Sequence, residues 1–203
     1  MSDTVNSADP NNDTFHHIPL RRLEAEEIRD SVLTLSGRLN PEQFGPSVFP
    51  PLPPGANSVT QVSREWKTST GPDRFRRGVY TWFQRSAPHP GLILFDAPDA
   101  TVTCTRRIRS NSPLQALTLL NDEAYFEFAQ ALADRLIKED MKADGERLQQ
   151  GFLYALNRRP VGDEESRLLK LLNAQRDAKK DEKAAWTAVS RVLLNLDEFM
   201  TRE

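Results

Sequence analysis

Three arginines, Arg106, Arg107 and Arg109, crowd the approach to the best-specified helix start in the chain, and Asn111 follows them. Guanidinium groups at that point would offer paired donors to a carboxylate, sulfate or phosphate. A helix N-terminus adds free N–H groups and a positive partial charge, which favour the same ligands. Two carboxylates, Asp96 and Asp99, lie a short way upstream and could neutralise the arginines internally, as could Asp122 or Glu123. The same two aspartates could instead work as an acid and a base, provided their surroundings separate their pKa values. The candidate site is therefore Asp96, Asp99, Arg106, Arg107, Arg109 and Asn111. Its work is either anion or ligand binding or internal charge pairing.

Other chemistries find less support. A second charged cluster, Glu24, Glu26, Glu27, Arg29 and Asp30, falls on a helical stretch and reads as a solvated face. His16 and His17 are adjacent in a polar segment and His89 stands between two prolines, without the spacing a metal site needs. Cys104 has arginine neighbours that could activate a thiol, yet a lone cysteine on an apolar strand face is more often packing. No G-x-S-x-G, glycine-rich phosphate loop or histidine-centred triad occurs. Tyr80, Trp82 and Phe83 could stack on bases beside the arginines. With Lys plus Arg at 27 against Asp plus Glu at 29, however, no basic field invites nucleic acid, and the aromatic run reads as core.

These residues must be positioned by elements that periodicity locates. Ala25, Ile28, Val32, Leu35 and Leu39 recur at steps of three and four, which predicts a helix over 21–39, with Gly37 and Pro41 as stop signals. Residues 41–57 hold six of the fourteen prolines and read as a semi-rigid loop whose apolar residues cover the core. Phe75, Val79, Trp82 and Phe83 show helix-like spacing interrupted by Gly78. Around 91–109, two apolar runs flank Pro98-Asp99, which suits either a short β-hairpin or an extended loop packed on helices. If 101–109 is extended, Val102, Cys104, Arg106 and Ile108 share a face, and Arg106 points at the core with Asp96 or Asp99 as its partner.

The helix start itself is marked by Ser112, Pro113 and Gln115, an N-cap, a first-turn proline and a capping-box acceptor. Leu114, Leu117, Thr118 and Leu120 are its expected apolar stripe. Asp122 is expected to cap a further helix reaching about residue 139. Three more amphipathic segments follow at 145–157, 163–177 and 182–200. Short connections between one-faced helices predict a mainly α, antiparallel helical bundle.

Composition agrees with such a chain. Its 203 residues suit one domain over 15–203 behind a disordered N-terminal tail, 1–14. A 38% apolar share with 28% charged residues fits an exposed helical domain carrying much loop. One cysteine excludes a disulfide framework and a CxxCH haem attachment in this chain. No apolar run is long enough to span a bilayer, and the first residues lack the basic start and apolar centre of a signal peptide.

Several strings together resemble a known family. RRLEAEEIRDSVLTLSGRLN, GPSVFPPLP, RRGVYTWFQRSAPHP, FDAPDATVTCTRRIRSNSPLQALTLLND and RVLLNLDEFMTRE are similar to domain of unknown function 1553, the planctomycete surface-protein domain. The likeness runs from about Asp9 onward. In that family the domain usually ends a long exported protein, behind a planctomycete-type cytochrome c domain and a second domain of unknown function. The family domain extends further toward the N-terminus, so this chain is expected to be a C-terminal portion of it. The resemblance implies an exported or cell-surface setting, although the chain shows no signal peptide. It implies haem only in an upstream cytochrome domain, and partners among upstream domains or a neighbouring subunit, with a small anion or saccharide as ligand. The family has no established activity. The expected function is a non-catalytic interaction or ligand-binding module, with a hydrolase acting on anionic polysaccharide as the alternative.

Overall fold

The computed structural model describes residues 13–14, 20–53, 55–56 and 65–202. Most of the expected N-terminal tail, with His16 and His17, lies outside the described residues.

The first helix, α1, runs Ala25–Leu35, shorter than the apolar spacing suggests. At its start the Glu24 N–H donates to Glu27 Oε2 at 2.8 Å. At its end Gly37 turns left-handed at φ 69°, and the Arg38 and Leu39 N–H groups both donate to the Leu33 carbonyl at 2.9 and 3.1 Å. That is how a glycine closes a helix without Cβ strain. Ile28, Val32 and Leu33 on α1 are fully buried. The residues before α1 are not helical: Arg21–Arg22 form strand β1, which pairs antiparallel with β2, Thr201–Arg202. The Leu23 N–H extends the contact to the Met200 carbonyl at 2.7 Å.

The proline-rich loop covers core as its apolar residues suggest, with Val48, Pro50 and Pro51 buried. Trp66 Nε1 donates to the Pro50 carbonyl at 2.8 Å, and Phe49 packs between Trp66 and Trp82 at 5.2 and 5.9 Å. Arg76, 2% exposed, ties the loop down by donating to the Glu42, Phe44 and Pro46 carbonyls over the Tyr80 ring.

Residues 71–80 form two 3₁₀ turns, Gly71–Phe75 and Gly78–Tyr80, instead of a helix. The second is pressed against α1: a Cβ at Gly78 would fall 2.7 Å from Glu26 Cα, and the Gly78 N–H donates to Asp30 Oδ1 at 2.6 Å. Phe75 and Phe83 pack on the core. Val79 and Trp82, expected there too, are exposed.

No hairpin forms over 91–109. Pro90–Leu94 is a short helix, α2, and residues 95–112 follow as a loop without strand structure. Asp96 and Ala100 take positive φ, 61° and 58°, which bends the chain out of any ladder. Val102 and Ile108 are 77% and 79% exposed, so their alternation records no buried face.

From Pro113 the chain is a bundle. The helices are α3 (Pro113–Asn121), α4 (Glu123–Lys138), α5 (Asp144–Leu156), α6 (Glu164–Lys179), α7 (Glu182–Leu194) and the short α8 (Asp197–Met200). Asp122 Oδ1 accepts the Ala124 N–H at 2.9 Å, the cap that separates α3 from α4. Helix α7 packs along both α4 and α6, and α5 closes on them. Phe128, Leu132 and Leu136 of α4 meet Trp186, Val189 and Leu193 of α7 in one core that also holds the apolar face of α1. On α3 the buried residues are Gln115 and Leu119, whereas Leu114 and Leu117, expected in its stripe, are 61% and 52% exposed. Among the described residues no helix is long and apolar enough to cross a membrane.

Candidate functional site

The 95–112 loop lies against the N-terminal end of α1, and the two charged clusters of the sequence meet there. Arg107 forks onto Glu26, with Nη1 2.7 Å from Oε2 and Nη2 3.1 Å from Oε1. It also lies 3.0 Å from Glu24. Arg109 reaches Glu24 at 3.5 Å. Glu24 and Glu26 are thus half-buried acids held by cations from the loop, not members of a freely solvated face. Burial pushes the Glu26 carboxyl up, but the Arg107 hydrogen bonds, its own backbone N–H and the Arg107 charge together hold it below its ordinary value. The same fork raises Arg107. Arg29, assigned with them to the solvated face, is buried at 8% exposure.

The aspartates part company. Asp96 is a hub: Oδ2 accepts Arg22 Nη2 at 2.5 Å and the Ser110 N–H at 2.7 Å, and the Ser110 hydroxyl donates to the same carboxylate at 2.9–3.0 Å. Its left-handed backbone, which aspartate tolerates better than most residues, turns the carboxylate back toward β1 and the loop. Asp99 is exposed and closes its own turn, with Oδ1 accepting the Thr101 N–H at 2.9 Å and the Thr101 hydroxyl at 2.7 Å. Those two bonds lower its pKa. The two aspartates share no partner.

The arginines divide differently from the alternation pattern. Arg106, expected inward against Asp96 or Asp99, is exposed and forms no ion pair among the described residues. Arg107 and Arg109, expected outward, are the two that pair. Asn111 is exposed, and so is Cys104, which packs into no apolar face. A strand face requires a sheet to bury it, and this segment has none.

Gln115 is the part of the site that capping logic reached only halfway. Its Oε1 accepts the Ser112 N–H at 3.3 Å as a capping-box residue would. Its Nε2, fully buried, also donates to the Leu94 carbonyl at 2.9 Å and to Ser110 Oγ at 3.2 Å. One amide thereby joins α2, the loop and α3. Arg22 and Ser110, which complete the Asp96 hub, carry no local pattern that would have singled them out.

Chemically, the cluster is a set of opposite charges satisfied by one another. What it leaves exposed are Arg106 and Asn111 and, along the same stretch 102–117, the apolar residues Val102, Ile108, Leu114 and Leu117. Among the described residues, no three His, Cys, Asp or Glu side chains come together as ligands for a metal ion. The family model described as PSD1, a protein of unknown function (DUF1553), matches residues 1–172. No curated protein and no solved structure matches the chain.

Proposed function

The chain belongs to the DUF1553 family of proteins of unknown function, and on that premise we propose that it is a non-catalytic helical interaction module. In this reading it serves a larger exported protein of planctomycete type, and it docks through residues 102–117 onto a neighbouring domain, the cytochrome c domain first among them. The observation that carries the reading is the exposure of Val102, Ile108, Leu114 and Leu117, between 52% and 79%, on one continuous stretch beside Arg106. Exposed apolar side chains interspersed with a cationic one along a single stretch of chain are what a docking segment offers. Asp96 and Asp99 speak for binding over hydrolysis. One is held by Arg22 and Ser110 and the other closes its own turn, so each has a structural role that a binding module leaves undisturbed.

Titration of the chain with the cytochrome c domain of its parent protein, followed by calorimetry, tests this. Saturable binding that Ile108→Asp and Leu117→Asp both abolish, with unchanged melting of the free chain, supports the docking face. Equal binding by the two variants, or turnover of an anionic polysaccharide that Asp96→Asn removes, rejects it.

A further inference from the structure

Arg29 of α1 is 8% exposed, and its Nη2 donates to the Arg74 carbonyl at 2.9 Å. Its Nε–H has no acceptor. The carboxylates nearest in charge are already engaged: Glu127 with Arg74 at 2.7 Å, and Asp30 with Arg77 at 2.7 Å and the Gly78 N–H at 2.6 Å. Among the described residues Arg29 therefore has no counter-ion in contact. Isolated buried charge of this kind is strongly unfavourable unless something compensates it.

Beside it lies a cavity of about 30 Å³, lined by Arg29, Thr81, His89, Asp122 and Tyr125 among others. Thr81 Oγ1 is buried there without a hydrogen-bond partner. Tyr125 is 9% exposed, and burial raises its hydroxyl pKa well above the ordinary value, so it stays an O–H donor. Burial lowers the His89 pKa, and both of its nitrogens are occupied. Nε2–H donates to the Pro51 carbonyl at 2.9 Å, and Nδ1 accepts the Gly91 N–H at 3.1 Å. Asp122 brings the one carboxylate of the lining, and its Oδ1 is turned to the α4 backbone at Ala124.

We propose that this cavity is a halide site, in which a single monoatomic anion of the chloride class is held by the Arg29 Nε–H and the Thr81 and Tyr125 hydroxyls. Two buried donors without acceptors, Arg29 Nε–H and Thr81 Oγ1, belong to residues that line one small space together with Tyr125, and the cation beside it has the Phe128 ring at 5.9 Å but no carboxylate in contact. Size selects the class. A volume of this order admits one small ion or about two waters, and it excludes sulfate and phosphate. Water would satisfy the donors but leave the guanidinium charge unbalanced, whereas a halide does both. The bound anion would add one more tie between α1, the turn at Thr81 and α4, beside the Asp30–Gly78 and Arg29–Arg74 hydrogen bonds.

Bromide substitution tests the site. Melting of the full chain is followed in sodium chloride, sodium bromide and sodium gluconate at one ionic strength, and a bromide-soaked crystal is measured at the bromine edge. The expected result is a saturable rise in Tm with chloride and bromide but not gluconate, as for any ligand that binds only the folded chain. An anomalous peak within hydrogen-bonding distance of Arg29 Nε should accompany it. Thr81→Val and Tyr125→Phe should each weaken the halide response several-fold while leaving the guanidinium in place, and Arg29→Met should remove it. If Arg29→Met does not fold, the two hydroxyl variants decide. A bromide map with water but no anomalous peak in the cavity overturns the proposal, as does a halide response that both hydroxyl variants retain in full.

Discussion

Arg107 and Glu26 meet in a two-point fork across 81 residues of chain, Nη1 to Oε2 and Nη2 to Oε1. Both side chains are about 30% exposed, shielded enough for the pair to matter. A two-bond guanidinium–carboxylate contact with a second acid, Glu24, nearby is stronger than a lone surface pair. Arg107→Ala should therefore lower stability by about 1–2 kcal/mol, while Arg106→Ala should stay within about 0.5 kcal/mol of wild type. Denaturant titration of the two variants checks the order. The reverse order would mean that the loop lies on α1 in some other register.

Gln115→Leu keeps the volume of a fully buried side chain but removes the partner of the Leu94 carbonyl, the Ser110 hydroxyl and the Ser112 N–H. Leaving a buried acceptor unpaired costs about 1–3 kcal/mol, and here three groups are affected, of which the Ser110 hydroxyl keeps its bond to Asp96. A loss of about 2–3 kcal/mol by chemical denaturation is expected. A neutral result would show that the loop reorganises around leucine.

Gly78→Ala sets a methyl group 2.7 Å from Glu26 Cα, a backbone atom that can move only if α1 moves. Forcing atoms into a packed contact of that kind costs about 1–3 kcal/mol. The melting temperature should fall accordingly. Adding Arg107→Ala to Gly78→Ala should cost less than the sum of the two, because both loosen the same helix.

Glu164 accepts both terminal nitrogens of Arg158 at 2.8 Å and the Val161 N–H at 2.7 Å. The Arg158 bonds, opposed by burial and helped by the Val161 N–H, lower its pKa from 4.5 to about 2. A carboxyl whose folded pKa lies below its unfolded one stabilises the fold fully above the unfolded value. That contribution disappears as pH falls through the folded value. With the pair 27% and 30% exposed, solvent screening trims the effect to about 1–2 kcal/mol. Stability measured from about pH 6 to about pH 3 should fall less steeply in Glu164→Gln than in wild type. Parallel curves would remove Arg158–Glu164 from the acid response.

How far the sequence foretells this molecule depends on the range of the interactions involved. Asp122 caps α4 where the break at Asn121-Asp122 placed it, because capping is decided within three residues. The bundle faces of α5 and α7 follow from spacing, which is likewise a local property. Residues 95–112 resist such reading, since their apolar alternation has no sheet behind it and their bends come from Asp96 and Ala100. On α3, Leu114 and Leu117 looked like a core stripe, but the buried amide of Gln115 sets which side faces inward. Both halves of the site, the arginines and the α1 acids, stand out as clusters. Their union does not, because nothing local couples residue 107 to residue 26.

The pairing of Arg21–Arg22 with Thr201–Arg202 has a mechanical consequence. Arg21 lies opposite Arg202, so tension applied through residues 20 and 202 enters at the same edge of the two-stranded ribbon. Force in that geometry peels the ladder one bond at a time, and the load then passes to the Leu23–Met200 hydrogen bond before it reaches α1. The ribbon would act as a weak link in series with a stronger bundle, yielding at low force while the helices α4 to α7 keep their packing.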